Sequence, residues 1–287
     1  MKIIRAEESG FCFGVKKALD RINSIKNKEN IYVLGKLIHN PQVMDELKQQ
    51  GIIFVETLDE VKGGTLVISA HGVSDDIIQK AEQKGLDIID TTCPLVRNVH
   101  NITKDLQKQG YRIIIFGDKN HAEVKGIQGN LKDPLIINSI EDLTNLEHGK
   151  YALVSQTTQE VVEFNKLSEH LKENSKRSFE GLSNKFDKKI KDLIIKDTIC
   201  SATKQRQENA LKVAAQSDLM VVIGGYNSAN TKRLKDICSK ITETKHIEKA
   251  DELNKEWFQN KNTIGITAGA STPEKVIQEV IGKITNF

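Results

Sequence analysis

The chain has 287 residues, a net charge of +3, 38% apolar residues and 28% charged residues, an ordinary globular composition with length enough for one large domain or two to three small ones. The charge is too small to argue for a nucleic-acid partner, and no apolar run approaches the roughly 18 residues that a membrane span requires. The opening MKIIRAEESG is charged where a signal peptide would be apolar, so the expectation is a cytoplasmic protein whose four cysteines are reduced thiols or metal ligands.

In chain order, the apolar run KIIR leads into Cys12, and a helical pattern, GVKKALDRI, follows. The β-rich IYVLG ends at Gly35, four residues before His39, and Asn40-Pro41 reads as a helix start. A short strand, IIFV, precedes TLVISAHGVS, which presents His71. The second pass begins with DIIDTTC and Cys93, then the helical LVRNVHNITKDLQKQG and the strand IIIFG. Four residues beyond Gly117 stands His121, with Glu123 two further on. LIIN and YALVSQTTQE follow, the latter carrying Gln156 and Thr157, and residues 172–192 are polar and basic, as in a linker. The third pass runs from LIIKDTIC and Cys200 through the helical SATKQRQENALKVAAQ to MVVIG. Four residues after Gly224 comes Ser228, then Ala229 and Asn230; a weaker strand near KHIE and the strand TIGITAGAST, bearing Ser271, close the chain.

These passes are three repeats of one plan. The cysteine-to-polar spacings, Cys12 to His39, Cys93 to His121 and Cys200 to Ser228, are 27, 28 and 28 residues. Strands alternating with helices predict an α/β fold of three pseudo-equivalent parallel-sheet domains, at 1–85, 86–192 and 193–287. Right-handed crossovers put the strand C-termini of each sheet on one edge, where ligands bind. Packed about a pseudo-threefold axis, the three edges meet in the middle.

Each repeat would bring one cysteine to that centre. Cys12, Cys93 and Cys200 each precede a helix, whose N-terminal end lowers a thiol pKa and favours thiolate. No C-x2-C pair exists to suggest structural zinc or a ferredoxin-type site. A cubane held by dispersed cysteines would leave one iron without a protein ligand, a Lewis acid open to substrate. Cys238 matches no station and reads as a small buried hydrophobe.

The other stations supply His39, His71, His121, Thr157, Ser228 and Ser271, with Gln156 and Asn230 beside them. Histidines, hydroxyls, amides and helix N-termini suit a phosphate or diphosphate, and Glu123 offers a single proton donor. Thr157-x-x-Glu160 and Ser271-x-x-Glu274 also fit capping boxes. His100, His148, His170 and His246 fall off the stations and are expected on surfaces or helix faces.

The stretches GFCFGVKKAL, HNPQV, SAHGVS, TTCPLVRNVH, HAEVKGI, SQTT, DTICSATKQRQ, NSANTKRL and TAGASTPE closely resemble those of the 4-hydroxy-3-methylbut-2-enyl diphosphate reductase family, which catalyses the last step of the non-mevalonate isoprenoid route. The resemblance implies a trefoil of α/β domains around a central [4Fe-4S] cluster. It implies Cys12, Cys93 and Cys200 as the cluster's ligands, with one open iron. It further implies His39, His71, His121, Ser228, Asn230 and Ser271 around the diphosphate, with Glu123, helped by Thr157, delivering a proton. The substrate would be an allylic diphosphate, reductively dehydroxylated to isopentenyl and dimethylallyl diphosphates. The electron donor would be a ferredoxin or flavodoxin. Ala229 stands where the family often has a second serine, which removes one expected hydroxyl.

Two rival readings are a three-cysteine cluster dehydratase of the quinolinate synthase kind and a non-enzymatic iron–sulfur sensor. The first lacks use for the Glu123–Thr157 pair and the diphosphate-type ring; the second has no need of a buried acid.

Overall fold

The computed structural model describes residues 1–26, 28–143, 146–176 and 190–287. Its elements in chain order begin with β1 (Lys2–Arg5), α1 (Phe13–Asn23), β2 (Ile31–Leu34), α2 (Pro41–Gln49), β3 (Ile53–Val55), β4 (Thr65–Ile68) and α3 (Asp75–Gln83). They continue with β5 (Asp87–Asp90), α4 (Pro94–Lys108), β6 (Arg112–Phe116), α5 (Ala122–Gln128), β7 (Leu135–Ile137), β8 (Gly149–Ser155) and α6 (Val161–Lys176). The last set is β9 (Ile190–Ile195), α7 (Ser201–Ala214), β10 (Leu219–Ile223), α8 (Ala229–Ser239), β11 (Thr244–Ile247), β12 (Thr263–Ala268) and α9 (Glu274–Thr285). The polar segment 172–192 starts inside α6 and ends inside β9, and residues 177–189 between them lie outside the described residues.

Three parallel four-stranded sheets result, ordered β3-β2-β4-β5, β7-β6-β8-β9 and β11-β10-β12-β1. Parallel sheets are covered on both faces, so their strands are apolar throughout rather than alternating. The consecutive Ile113, Ile114 and Ile115 of β6 are all fully buried, each worth roughly 1.5–3 kcal/mol relative to exposure. Ile114 faces Phe164, Leu167 and Leu171 of α6. Ile113 and Ile115 face Val99 of α4 and Val124 of α5. Each of the other two sheets likewise separates two apolar clusters.

The α/β class and the threefold repetition appear in the sheets, but the strand that heads each repeat belongs elsewhere than expected. β5 pairs with β4, β9 with β8, and β1 with β12. Each cysteine-leading strand therefore closes the sheet of the preceding repeat, and the first strand of the chain closes the last sheet. Divisions at 85/86 and 192/193 cut between or through hydrogen-bonded partners. The shared Asp-Thr-x-Cys motif has a part in this. Thr91 Oγ1 donates to Ile68 O at 2.6 Å, and Thr198 Oγ1 to Ser155 O at 2.6 Å, tying each strand to the lobe it leaves. Asp90 accepts from Thr92 N and Asp197 from Ile199 N, turning the chain toward the next cysteine. Cys238 is fully buried on the face of α8 that packs against α7, as its lack of a station implies.

Candidate functional site

Each cysteine is the residue immediately before a helix: Cys12 caps α1, Cys93 caps α4 and Cys200 caps α7. Their backbones are held alike. Cys12 N donates to Ala270 O, Cys93 N to Ala70 O and Cys200 N to Thr157 O, at 3.1, 3.0 and 3.0 Å. Each thus hangs from the chain just beyond β4, β8 or β12, an inner strand of the preceding lobe's sheet, and all three line one cavity of about 110 Å³. Gly14 clears space there: a Cβ at that position would lie 2.8 Å from Cys93 Sγ and 4.0 Å from Cys12 Sγ. The expectation that helix N-termini lower the thiol pKa fails for two of them. Burial raises Cys93 and Cys200, outweighing the backbone N–H bonds that pull the other way. A bound metal would reverse that balance, since its charge favours the thiolate ligand.

His39, His71 and His121 meet in the same cavity, with ring centroids 4.9, 5.3 and 5.3 Å apart. One nitrogen from each ring lies within 4.8 Å of the other two, so one small ligand, an anion or a metal ion, can meet all three. Burial, then Lys36 and Lys232, brings His39 down to about 4. Burial, then His39, does the same to His121, and burial with both neighbouring rings holds His71 well below its ordinary value. All three are therefore neutral at pH 7. Glu123 N donates to His121 Nδ1 at 3.2 Å, which leaves the proton of the neutral ring on Nε2 as a donor. His39 has both ring nitrogens buried without a partner, and so has Asn230 its Nδ2. Buried polar atoms are ordinarily bonded, so these groups are available to a ligand bound in the cavity.

Glu123 is 2% exposed. Thr157 donates to it twice, from the backbone N at 2.6 Å and from Oγ1 at 2.9 Å. Burial pushes its carboxyl up to about 7 against those two bonds. Thr157 is thus not a helix cap: α6 begins at Val161, and Glu160 pairs with Lys240 at 2.8 Å. Ser271 is not one either, since its Oγ donates to His39 O at 3.2 Å and Glu274 pairs with Arg5 at 2.6 Å. Asn40 does cap α2, accepting from Val43 N at 3.0 Å. Ser228 caps α8, accepting from Thr231 N at 3.3 Å, and still lines the cavity.

Ala229, Asn230 and Ser271 also line it. Gln156 is fully buried behind the wall, where its Oε1 accepts from Asp118 N and its Nε2 donates to Thr158 Oγ1. Thr158 lines the cavity and was not foreseen. The cysteine bonds show why: Thr157 is equivalent to Ala70 and Ala270, so Thr158, one residue on, is the counterpart of His71 and Ser271. Arg206 is the other unforeseen wall residue, 2% exposed on the buried face of α7. Helical spacing from Thr203, Ala210 and Val213 places it on that face. His100, expected on a surface or helix face, is buried on α4 beside Asn130. Outside the histidines a second cavity of about 590 Å³ opens, lined by Lys36, Lys125 and Lys232, one lysine from each lobe.

Thiols, neutral imidazoles and a protonatable buried acid meeting between three parallel-sheet lobes suit a metal-dependent α/β enzyme. The sequence model of the family described as "LytB protein" matches residues 3–285. A 4-hydroxy-3-methylbut-2-enyl diphosphate reductase of Caldanaerobacter subterraneus subsp. tengcongensis is 44% identical, the match covering 100% of this chain and 98% of that one. Its counterpart in Alkaliphilus oremlandii is 39% identical, with both chains covered in full. Among solved structures, the Plasmodium falciparum E-1-hydroxy-2-methyl-but-2-enyl-4-diphosphate reductase superposes with a TM-score of 0.89 at 31% identity, over 99% of this chain and 88% of that one. A second, (E)-4-hydroxy-3-methyl-but-2-enyl diphosphate reductase, the terminal enzyme of the non-mevalonate pathway, superposes with a TM-score of 0.68 at 37% identity over 100% of both. The chain belongs to the LytB protein family, the 4-hydroxy-3-methylbut-2-enyl diphosphate reductases, which use an iron–sulfur cluster. Among the described residues no helix is long and apolar enough to cross a membrane.

Proposed function

We propose that the chain reduces 4-hydroxy-3-methylbut-2-enyl diphosphate to isopentenyl and dimethylallyl diphosphates, with Cys12, Cys93 and Cys200 holding a [4Fe-4S] cluster whose fourth iron has no protein ligand. The observation that carries this reading is the arrival of the three helix-capping cysteines in the cavity that also holds the three histidines and Glu123. The residues fit the cluster: three thiols, no competing C-x2-C pair, and a glycine at the one place where a Cβ would press on Cys93 Sγ. When bound, the cluster supplies single electrons and an open Lewis-acid position.

The chain's own part begins with the diphosphate. His39, His71, His121, Ser228 and Asn230 converge as donors, Ser271 would join them by turning its hydroxyl away from the His39 carbonyl, and the unpartnered His39 and Asn230 nitrogens would find acceptors in the diphosphate oxygens. Neutral imidazoles give up one N–H each without the desolvation cost of a buried cation. Ala229 adds only a methyl wall where a serine would add a donor. Glu123, with a pKa of about 7, is poised to hold a proton at neutral pH and to release it to the leaving hydroxyl; Thr157 orients its carboxyl. Apolar walls such as Val15, Ile38 and Val96 would limit water at the allylic centre once the hydroxyl leaves.

Electrons would come from an acidic one-electron carrier such as a ferredoxin or flavodoxin. Beside Cys12, α1 exposes Phe13 at 68% and turns Lys16, Lys17 and Arg21 outward, three cations against Asp20 and Asp90 on the same face, a net basic surface suited to such a protein. Anaerobic incubation with a chemical one-electron reductant, followed by product chromatography, tests the reaction. Both five-carbon diphosphates are expected, and their absence from cluster-loaded protein would refute it.

A further inference from the structure

Arg206 is a buried cation that makes no direct ion pair among the described residues. It lies six residues after Cys200 on α7, is 2% exposed, and faces the cavity of the three cysteines. Its Nη2 donates to Gly10 O at 2.8 Å, which ties α7 to the loop carrying Cys12. Its Nε and Nη1 are buried and have no partner. Among the described residues no carboxylate forms an ion pair with it. Its neighbour Gln207 differs in kind, spending its amide on Gln159 O and Val161 N as a joint between lobes.

A guanidinium stays charged in any protein environment, and burying one unpaired is costly. Mere packing would be better served by an aliphatic residue, as at the neighbouring buried positions Ala210, Val213 and Ala214. Cys12, Cys200 and Glu8 are the side chains near Arg206 that would carry negative charge when ionised. Thiolates there would supply the missing counter-charge, and a cluster they hold would carry net negative charge facing the two free donors.

We infer that Arg206 is the charge-compensating residue of the cluster site, favouring its reduced over its oxidised state. Each reduction adds one electron from the external carrier and breaks no bond, so the added negative charge must be stabilised by fixed charge nearby. Arg206 is held by Gly10 before the electron arrives and needs no rearrangement. This role rests on the three-cysteine ligation proposed above.

The test compares wild-type protein with Arg206→Met and Arg206→Lys, purified anaerobically. Iron and sulfide are counted, and midpoint potentials are read by dye-mediated titration with spin-resonance detection. The Met variant is expected to be at least tenfold harder to reduce, a fall of about 59 mV for a one-electron couple, with Lys restoring most of the difference. Loss of the cluster from the Met variant alone, with Lys intact, also supports a requirement for charge. An intact cluster at unchanged potential in the Met variant, or loss from both variants, overturns the inference. Wild-type protein that binds no iron or sulfide would instead refute the three-cysteine reading itself.

Discussion

Replacing Glu123 by Gln separates the proton donor from the scaffold. The two side chains are nearly isosteric, and the amide oxygen can still accept from Thr157 N, which now bonds the carboxyl at 2.6 Å. Raising a carboxyl from 4.5 to about 7 corresponds to about 3 kcal/mol against ionisation, at 1.36 kcal/mol per unit. The neutral amide escapes that cost, so folding above pH 7 is not weakened. Turnover, however, loses the only buried acid among the described residues, and positioned acid catalysis is worth roughly 10²–10⁴-fold. The assay is steady-state reduction of the allylic diphosphate under anaerobic conditions, with cluster content measured on the same samples. The variant is expected to keep its cluster and bind substrate while kcat falls by about 10²-fold or more. The wild-type kcat/KM should fall as pH rises through about 7, and the variant's residual rate should not follow that profile. A variant that turns over within a few-fold of wild type would refute the assignment of Glu123 as donor.

Gly14→Ala places a methyl 2.8 Å from Cys93 Sγ; iron content after anaerobic reconstitution is expected to drop while circular dichroism stays native. His121→Phe removes the Nε2–H donor and should raise KM or lower turnover by about tenfold or more, the worth of a bond to a charged acceptor, without bleaching the colour. Thermal melts of the metal-free protein should show opposed pH effects. The histidines held near 4 bind fewer protons folded than unfolded, so their contribution is full above 6.5 and lost as pH falls toward 4. Glu123 binds more protons folded, so its contribution is present below 4.5 and lost as pH rises through about 7. Stability should therefore climb to about pH 6.5 and decline modestly beyond. The joint change of Lys36, Lys125 and Lys232 to Gln, at the mouth outside the histidines, should lower kcat/KM and flatten its dependence on ionic strength.

The centre of the molecule was legible because repetition is written in spacing. Cys12, Cys93 and Cys200 share a place before a helix, and His39, His121 and Ser228 share a place after a β-strand, in the sequence as in the fold. Strand exchange was hidden because β1, β5 and β9 are apolar runs with nothing in their composition to name a partner; pairing is a tertiary choice. Thr158 was missed by one residue because strand ends can be aligned only through their bonds, here those to the cysteine N–H groups. The capping motifs at Thr157 and Ser271 misled because a hydroxyl bonds what lies nearest, and the fold places Glu123 and the His39 carbonyl beside them. The thiol pKa direction failed for Cys93 and Cys200 because sequence shows the helix behind a cysteine but not the depth at which it is buried.

The proposal turns on three sulfurs, remote in sequence, gripping one cubane. The decisive measurement is iron and sulfide content with anaerobic absorption and spin-resonance spectra, for wild type, Cys93→Ser and Cys238→Ser. Wild type and the Cys238 variant are expected to carry a reducible brown cluster, and the Cys93 variant to lose it or hold it only briefly. A Cys93 variant with the wild-type spectrum and iron count would contradict the account.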